Sequence, residues 1–311
     1  MAVTRRLLSL AGYGIYTLAV LVGLLWFLFP ADAVRQRLEY ELNRNTDAVV
    51  WKIGALRPAL PGGLKISEIH ISSRRRGTGE LVVPSLYLQP DAAAFLRNRK
   101  PACTYRAQLL GGSIRGRAEV SGSPRVVKFD GRISDVKIEE LGDLLKSLNR
   151  SAAGLLSGDF SGRAAVAPAT NPSFSLKGKL HVRQGRLSFQ EQVLGLNELK
   201  FSRAESQFEF SGNVLELKEG ILQSTLLSAV FAGTLQTEKS LEQAMVQVNG
   251  TLTVRPELFA GIRNGSSGLQ KQLKDGKLSF QVRGTLKEPG IFFPDLPTGL
   301  EQYLHGGAKK P

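Results

Sequence analysis

A five-residue unit recurs through most of this 311-residue chain: an apolar residue, a variable residue, a glycine, a variable residue and a second apolar residue. The clearest copies are Val-Arg-Gly-Thr-Leu at 282–286 and Val-Asn-Gly-Thr-Leu at 248–252. Because side chains alternate between the two faces of a strand, each copy places its glycine and apolar residues on one face. The repeat therefore predicts a series of half-buried strands. Looser copies stand at 114–118, 160–164, 176–180 and 231–235.

Turns between these units predict a mainly β fold. Pro-Gly-Gly at 61–63 and Gly-Gly at 111–112 separate successive apolar runs. Short turns of this kind are typical of antiparallel strands. We expect a long curved antiparallel sheet, a β-groove or an open barrel-like region over residues 46–292, with a few short helices. A subdivision near residue 150 and closure of the sheet both stay open.

Two irregularities interrupt the strand pattern. The apolar residues at 64 and 66 alternate in one phase and those at 69 and 71 in the other. A one-residue shift exchanges the faces of a strand, so we expect a bulge or bend at Ser67 and Glu68. Farther on, four leucines between residues 136 and 150 fall at helical spacing. They predict one amphipathic helix that closes an end or an open face of the sheet.

The N-terminal segment over residues 7–29 contains no charged side chain. At about 1.5 Å per residue, a helix of this length crosses a hydrocarbon core of about 30 Å. Basic residues precede the segment and Asp32 follows it, so the positive-inside rule leaves residues 1–6 in the cytoplasm. This pattern predicts a single-pass anchor that includes Leu7, Leu18, Leu24, Trp26 and Phe29.

A cleaved signal peptide is the alternative interpretation of this segment. Ala-Asp-Ala at 31–33 fits the small-residue cleavage pattern. The apolar run is longer than the signal-peptide core of about 7–15 residues, which favours a retained anchor. Whether the segment is cleaved stays open. We also expect a short juxtamembrane helix over residues 30–45 and a flexible tail over 293–311.

The charge balance points to anionic partners. The formal net charge is +14 and the isoelectric point is near 10.0. Basic strand residues do not alternate with aromatic ones, and the bulk of the chain is expected beyond a membrane, so we expect no nucleic acid. A lipid surface or an acidic protein fits better. The basic residues in question are Arg115, Arg117, Arg163, Lys177, Lys179 and Arg283.

Catalytic motifs are missing from the sequence. Cys103 is the single cysteine, and the three histidines, His70, His181 and His305, are not spaced like metal ligands. No serine stands in a nucleophile-elbow pattern, and no glycine-rich loop precedes Lys-Ser or Lys-Thr. We expect a non-catalytic protein without a cofactor or metal.

The apolar face of the strands has two interpretations. We interpret Gly116, Gly162, Gly178, Gly233, Gly250 and Gly284 as residues that let the sheet curve. The face beside them is then either an ordinary packed core or a groove that holds acyl chains. The sequence leaves both open. The face would be formed by Ile114, Phe160, Leu176, Leu180, Phe231, Val248, Leu252, Phe280, Val282 and Leu286.

The order of these features resembles the type II secretion system protein N family, in its long single-anchor form. The anchor is followed by Phe-Pro-Ala-Asp-Ala at 29–33 and Leu-Pro-Gly-Gly-Leu at 60–64. Gly-Gly-Ser-Ile-Arg-Gly stands at 111–116 and Gly-Thr-Leu-Lys-Glu-Pro closes the pattern at 284–289. The Val-x-Gly-Thr-Leu strand followed by proline is also similar to AsmA-like proteins.

The first resemblance implies a bacterial inner-membrane, periplasm-facing subunit of the apparatus that exports folded proteins. It implies that other secretion-system subunits are partners and that the chain has no catalytic residues. The second resemblance implies a β-groove that binds or transfers phospholipid. We therefore expect a structural and interaction subunit of the secretion system, with a lipid-binding module as the alternative.

Overall fold

The computed structural model of this chain describes residues 12–13, 16–17, 20–21, 23–24, 26–44, 49–60, 62–74, 80–122, 126–148, 151–165, 174–237, 243–260 and 276–295. These residues form one sheet of fourteen strands, in which every strand pairs with its neighbours in the chain. All of these pairings are antiparallel. The prediction of a mainly β, antiparallel fold with few short helices is confirmed. In the described part the first and last strands are not paired with each other, so the sheet is open.

The strands differ in length from four to twenty residues. Strands β1–β7 cover Val49–Ala59, Gly63–Ser73, Glu80–Pro90, Ala102–Leu109, Gly112–Ser121, Val126–Lys137 and Ser151–Ala165. Strands β8–β14 cover Phe174–Val193, Leu196–Ser211, Val214–Gln223, Leu227–Gln236, Met245–Val254, Lys277–Thr285 and Pro289–Phe292.

Four short α-helices accompany the sheet in the described part: α1 over Ala31–Arg44, α2 over Ala92–Asn98, α3 over Gly142–Ser147 and α4 over Pro256–Ala260. A 3₁₀ helix over Ile138–Leu141 leads into α3. The single helix predicted over residues 136–150 is therefore too long. Val136 and Lys137 belong to β6, because they pair with Leu156 and Leu155 of β7.

The N-terminal segment is described in part. Leu7 and Leu18 lie outside the described residues, whereas Leu24 and Trp26 belong to helical stretches and are exposed. Phe29 lies after the last of these stretches and packs against the sheet. Among the residues described, none of the helices is both long enough and apolar enough to span a membrane.

One face of the sheet is apolar across its whole width. Directly paired residues lie on the same face, so a single row can be followed from β1 to β14. Every member of this central row is apolar, glycine or tyrosine. The row runs through Pro58, Leu64, Leu88, Tyr105, Gly116, Gly131, Phe160, Gly178, Phe208, Leu217, Gly233, Val248, Val282 and Ile291. We call this side of the sheet the apolar face and the other side the polar face.

The bend expected in β2 is present at Glu68. This residue has a positive φ of 57°, and both Ile66 and Ile69 are buried although they are three residues apart. Alternation alone would place them on opposite faces. The partner strand changes phase at the same level, since Ile53 and Leu56 are also buried. The kink therefore keeps the apolar face continuous.

Helix α1 covers the open edge of β1. The Asn43 amide donates to the carbonyl of Trp51 and accepts from its N–H, both at 2.9 Å. The Glu39 carboxylate accepts from the N–H of Ile53 at 2.6 Å, and Arg35 donates to the Ile53 carbonyl at 3.3 Å. Positions 35, 39 and 43 are four residues apart and share one side of the helix. Their side chains satisfy backbone groups that an unpaired edge would expose.

The same helix packs on the apolar face at this end. The buried residues Ile53, Leu56, Ile66 and Ile69 form a cluster that is at most 6% exposed. Val34, Leu38 and Leu42 of α1 pack against it, together with Phe29. A second buried cluster lies at the other end, around Leu258 of α4 and Phe293 after β14. The two ends of the apolar face are thus both partly covered by protein.

Candidate functional site

A cavity of about 250 Å³ lies on the apolar face of the C-terminal half of the sheet. Its lining comes from strands β8–β14, from Leu194 in the turn between β8 and β9, and from Phe293. All sixteen lining residues are apolar: Leu187, Phe189, Val193, Leu194, Leu196, Leu199, Leu222, Leu227, Ala229, Phe231, Val248, Leu252, Phe280, Val282, Ile291 and Phe293. An apolar cavity of this kind stays dry or takes an apolar ligand, because it offers water no hydrogen bonds.

Half of the residues predicted for the groove line this cavity. They are Phe231, Val248, Leu252, Phe280 and Val282. Four of the others lie on the same face and do not reach it: Ile114 and Phe160 on the earlier strands β5 and β7, and Leu176 and Leu180 near the start of β8. Leu286 lies after the end of β13, where its N–H donates to the carbonyl of Ala244 at 2.8 Å.

The other lining residues lie outside the glycine-centred units. Leu199 and Leu222 stand in strands without that unit, and Leu187 lies in β8 beyond the copy at 176–180. The alternation of apolar and polar residues around them was the sequence signal that could have identified these lining residues. Phe293, predicted to begin the flexible tail, has no exposed surface, and Asp295 accepts a hydrogen bond from the Ser279 N–H at 2.9 Å. Phe293 and Asp295 therefore contact the sheet, and residues 296–311 of the predicted tail lie outside the described residues.

The strand glycines allow aromatic rings to lie close to the backbone of the neighbouring strand. A Cβ atom at Gly250 would lie 2.5 Å from the Phe280 ring, and one at Gly162 would lie 2.5 Å from the Phe129 ring. Side chains do not tolerate such contacts, so these positions require glycine. Seven directly paired ring and glycine positions share this arrangement: Tyr105–Gly116, Phe129–Gly162, Phe160–Gly131, Phe208–Gly178, Phe201–Gly185, Phe231–Gly220 and Phe280–Gly250.

The remaining two predicted glycines have other neighbours. Gly233 lies between Leu217 and Val248 in the central row, and an added Cβ would meet Val248 at 2.7 Å. Gly284 has a positive φ of 123°, which favours glycine, and pairs with Pro289. Curvature as the purpose of these glycines stays an interpretation, whereas the close approach is observed.

Aromatic rings continue along the apolar face between its two ends. Phe174 stacks on Phe129 with ring centroids 6.0 Å apart and meets Phe210 edge-on at 5.8 Å. Tyr105 lies beside Gly116 and Gly131, and its hydroxyl donates to the Asp130 carbonyl at 3.0 Å. Burial raises the pKa of Tyr105 to about 12, with smaller contributions from the charges of Asp130 and Cys103. Burial also raises the pKa of Cys103.

The polar face carries the charged residues. Arg115, Arg163, Lys177, Lys179 and Arg283 are exposed there, and Arg117 pairs with Asp91 at 2.9 Å. Many basic residues of the polar face form ion pairs with carboxylates, as Arg132 does with Asp159 at 2.6 Å. Exposed pairs of this kind contribute at most about 1 kcal/mol each.

The acidic residues and histidines of the described part are dispersed. No group of three or more His, Cys, Asp or Glu side chains there is arranged to hold a metal ion. His70 pairs with Glu80 at 2.8 Å, and Glu198 pairs with Lys200 at 3.3 Å. The Glu139 carboxylate accepts from the Gly154 N–H at 3.2 Å, and its backbone hydrogen bonds lower the pKa of this group.

Comparisons with protein-family models, curated proteins and solved structures found no match to this chain.

Proposed function

We propose that this chain is a non-catalytic, membrane-anchored protein that binds lipid acyl chains in the apolar cavity of β8–β14. The observation that carries this proposal is the lining, which consists of sixteen apolar side chains. Removing apolar surface from water contributes roughly 25 cal/mol per Å², so a hydrocarbon chain gains more here than a polar ligand. The proposed setting is the bacterial inner membrane, with the sheet on the periplasmic side.

The sheet geometry supports a groove. Strands β8 and β14 are six positions apart in the sheet, which would separate them by roughly 29 Å if the sheet were flat. Both nevertheless contribute to one cavity of about 250 Å³. This half of the sheet must therefore curl around the cavity. The cavity is smaller than the roughly 300–1,000 Å³ of pockets that hold whole ligands, so it suits a segment of one acyl chain.

The proposed anchor is supported by exposed apolar side chains before α1. Phe27 is 92% exposed and Leu28 is 74% exposed. Large apolar side chains that are exposed together mark a surface that another apolar phase covers. An anchored groove next to a bilayer would take its acyl chains from that bilayer.

Lipid analysis of the full chain tests this function. We expect native mass spectrometry of the protein purified in mild detergent to show bound phospholipid. Val282→Asn puts an amide into the cavity lining and should reduce the lipid-bound fraction several-fold. Val230→Asn is the matched control, because Val230 lies on β11 and is 60% exposed.

A second variant distinguishes loss of lipid binding from loss of the fold. Ala229→Phe keeps the lining apolar but places a ring in the cavity, and it should also displace lipid. Equal lipid content in the wild type and both cavity variants would refute acyl binding at this site. Circular dichroism on each variant checks that the sheet is intact.

The second candidate is the structural and interaction subunit of a type II secretion system. Besides the sequence resemblance, an incomplete sheet edge favours it. Strand β14 pairs only with Gln281–Gly284 of β13, so Lys277–Phe280 has no further neighbouring strand in the described part. A partner can add a strand to such an edge if it displaces Asp295, which accepts a hydrogen bond from the Ser279 N–H at 2.9 Å. We expect gene deletion to abolish export of folded proteins, and intact export with altered envelope lipids would refute this candidate.

A further inference from the structure

The polar face contains arginines that lie directly opposite one another. Arg106 of β4 pairs with Arg115 of β5, and Arg115 in turn pairs with Arg132 of β6. Directly opposed residues have Cβ atoms about 4.5–5.5 Å apart, and like charges at this spacing are destabilising. Such a row needs negative charge to offset the repulsion.

Elsewhere in the sheet, carboxylates supply that charge. Arg132 pairs with Asp159 at 2.6 Å. Arg183 and Arg203 are also directly opposed, on β8 and β9, but each has its own acid. Their partners are Asp135 at 2.7 Å and Glu205 at 2.6 Å.

The Arg106–Arg115 pair differs from these. Within the part of the chain that the structure describes, neither guanidinium forms an ion pair or a side-chain hydrogen bond. The same row continues through Tyr87 to a second opposed basic pair, Arg57 and Lys65. The basic row is therefore uncompensated from β1 to β5.

A depression of about 550 Å³ lies beside the two arginines. Tyr87, Gln89 and Thr104 also line it, and no carboxylate does. Tyr87 and Gln89 carry hydroxyl and amide groups that donate hydrogen bonds, whereas the Thr104 hydroxyl donates to the Gln89 carbonyl at 3.5 Å. Paired guanidinium forks and neutral donors are the groups that recognise the oxygens of a phosphate.

We propose that Arg106 and Arg115 bind a phosphate group in this depression, carried either by a lipid headgroup or by a soluble phosphate compound. The site lies on the polar face, opposite the acyl-binding face, and does not depend on the proposed function. The phosphate oxygens, which carry one negative charge in a phosphodiester headgroup and about two in a free phosphate, bridge both guanidiniums and offset their repulsion by charge-assisted hydrogen bonds.

Phosphate binding to the full chain in non-ionic detergent tests the proposal. The test variant is Arg106→Gln/Arg115→Gln. The matched control is Arg183→Gln/Arg203→Gln, which removes the same charge from an opposed pair that has its own acids. The probes are inorganic phosphate, short-chain phosphatidylglycerol and short-chain phosphatidylcholine, measured by calorimetry and by the shift in unfolding temperature.

We expect the test variant to raise the Kd for phosphate by about tenfold for each arginine lost, and the control to leave it within twofold. Binding of inorganic phosphate identifies a soluble source, whereas binding of phosphatidylglycerol alone identifies a lipid headgroup. In buffer without multivalent anions, Arg115→Gln should unfold at or above the wild-type temperature, because it removes repulsion.

Two results would overturn the proposal. One is that none of the three probes binds to the wild-type protein. The other is an equal loss of binding in the test variant and the control, which would mean that only net charge matters. The cavity variant Val282→Asn should bind phosphate normally, so failure of acyl binding and failure of this site are distinguishable.

Discussion

The apolar face of the sheet is covered at one end and surrounds a cavity at the other. Under α1, Ile53, Leu56 and Ile66 are at most 4% exposed. In the β8–β14 half the same face encloses about 250 Å³ of space. Strands with alternating apolar residues form the face at both ends, although the glycine-centred units begin only at residue 114. What differs is the chain next to it, because the residues immediately before β1 form an amphipathic helix that folds back onto the face.

This difference separates packing from binding. A buried side chain gains dispersion contacts on all sides, whereas a side chain beside a void has no partner atoms there. A side chain under α1 should therefore contribute more to stability than one beside the cavity, and the cavity lining should tolerate change and accept ligands. Mutations at matched positions measure how far this contrast holds.

The largest expected effect is at the α1 end. Leu56→Ala removes a side chain that is 4% exposed and should lower the free energy of unfolding by about 2–5 kcal/mol. Leu187→Ala, at the cavity lining, should lower it less, because its neighbours already leave space. Urea unfolding of both variants measures the difference. Equal losses would show that the cavity end is packed as tightly as the helix-covered end.

The ring and glycine pairs test packing at the cavity end itself. Gly250→Ala places a Cβ 2.5 Å from the Phe280 ring and should cost about 1–3 kcal/mol. Gly142→Ala is the control, since nothing lies within 4 Å of its added Cβ and its backbone is helical. It should be neutral or stabilising by up to about 1 kcal/mol. A tolerated Gly250→Ala would mean that the ring moves freely into the cavity.

Much of the sheet could be predicted from the sequence. Alternating apolar residues with central glycines define the strands, and the phase change at Ser67 and Glu68 defines a bend that the structure contains. These are local properties of one strand. The leucine spacing correctly indicated helix, since Leu141 ends the 3₁₀ helix and Leu144 and Leu145 belong to α3. The predicted start at 136 is wrong, because cross-strand pairing extends β6 through Lys137. Tertiary pairing there overrides the local helical pattern.

The site could be predicted only in part. Phe231, Phe280 and Val282 belong to glycine-centred units and could be assigned to the right face. That Phe280 lies against Gly250 depends on the register of β12 and β13, and residues 255–276, which join these two strands, are not part of the repeat. Which part of the face stays open depends on where α1 and Phe293 fold. These are contacts between distant parts of the chain, so no periodicity reveals them.

The hydrogen bonds between α1 and the edge of β1 provide a smaller test at the covered end. Asn43→Ala removes both hydrogen bonds to the Trp51 backbone and should cost about 1–2 kcal/mol. Gln36→Ala is the control on the same helix, because Gln36 is exposed. Hydrogen exchange should speed up at the Trp51 amide in the first variant only. Unchanged exchange would show that α1 is held by its apolar contacts alone.

The smallest expected effect is at Tyr105 on β4, outside both the cluster under α1 and the cavity, and it appears only at high pH. Burial raises the pKa of Tyr105 to about 12, above its ordinary value, so the folded state retains a proton that the unfolded state loses. The stabilisation from this group is complete below about pH 10 and disappears as the pH rises towards 12. Because the side chain is only half-buried, solvent screening reduces it to about 1 kcal/mol.

Tyr105→Phe isolates that contribution from the other groups that titrate at high pH. At pH 9 the wild type should be the more stable protein, since the variant lacks the hydroxyl hydrogen bond to Asp130. The difference in unfolding free energy should narrow between pH 10 and pH 12 as the unfolded wild type ionises. A constant difference would mean that the phenol is hydrated in the folded protein. The central part of the apolar face would then be open to water, unlike the cluster under α1.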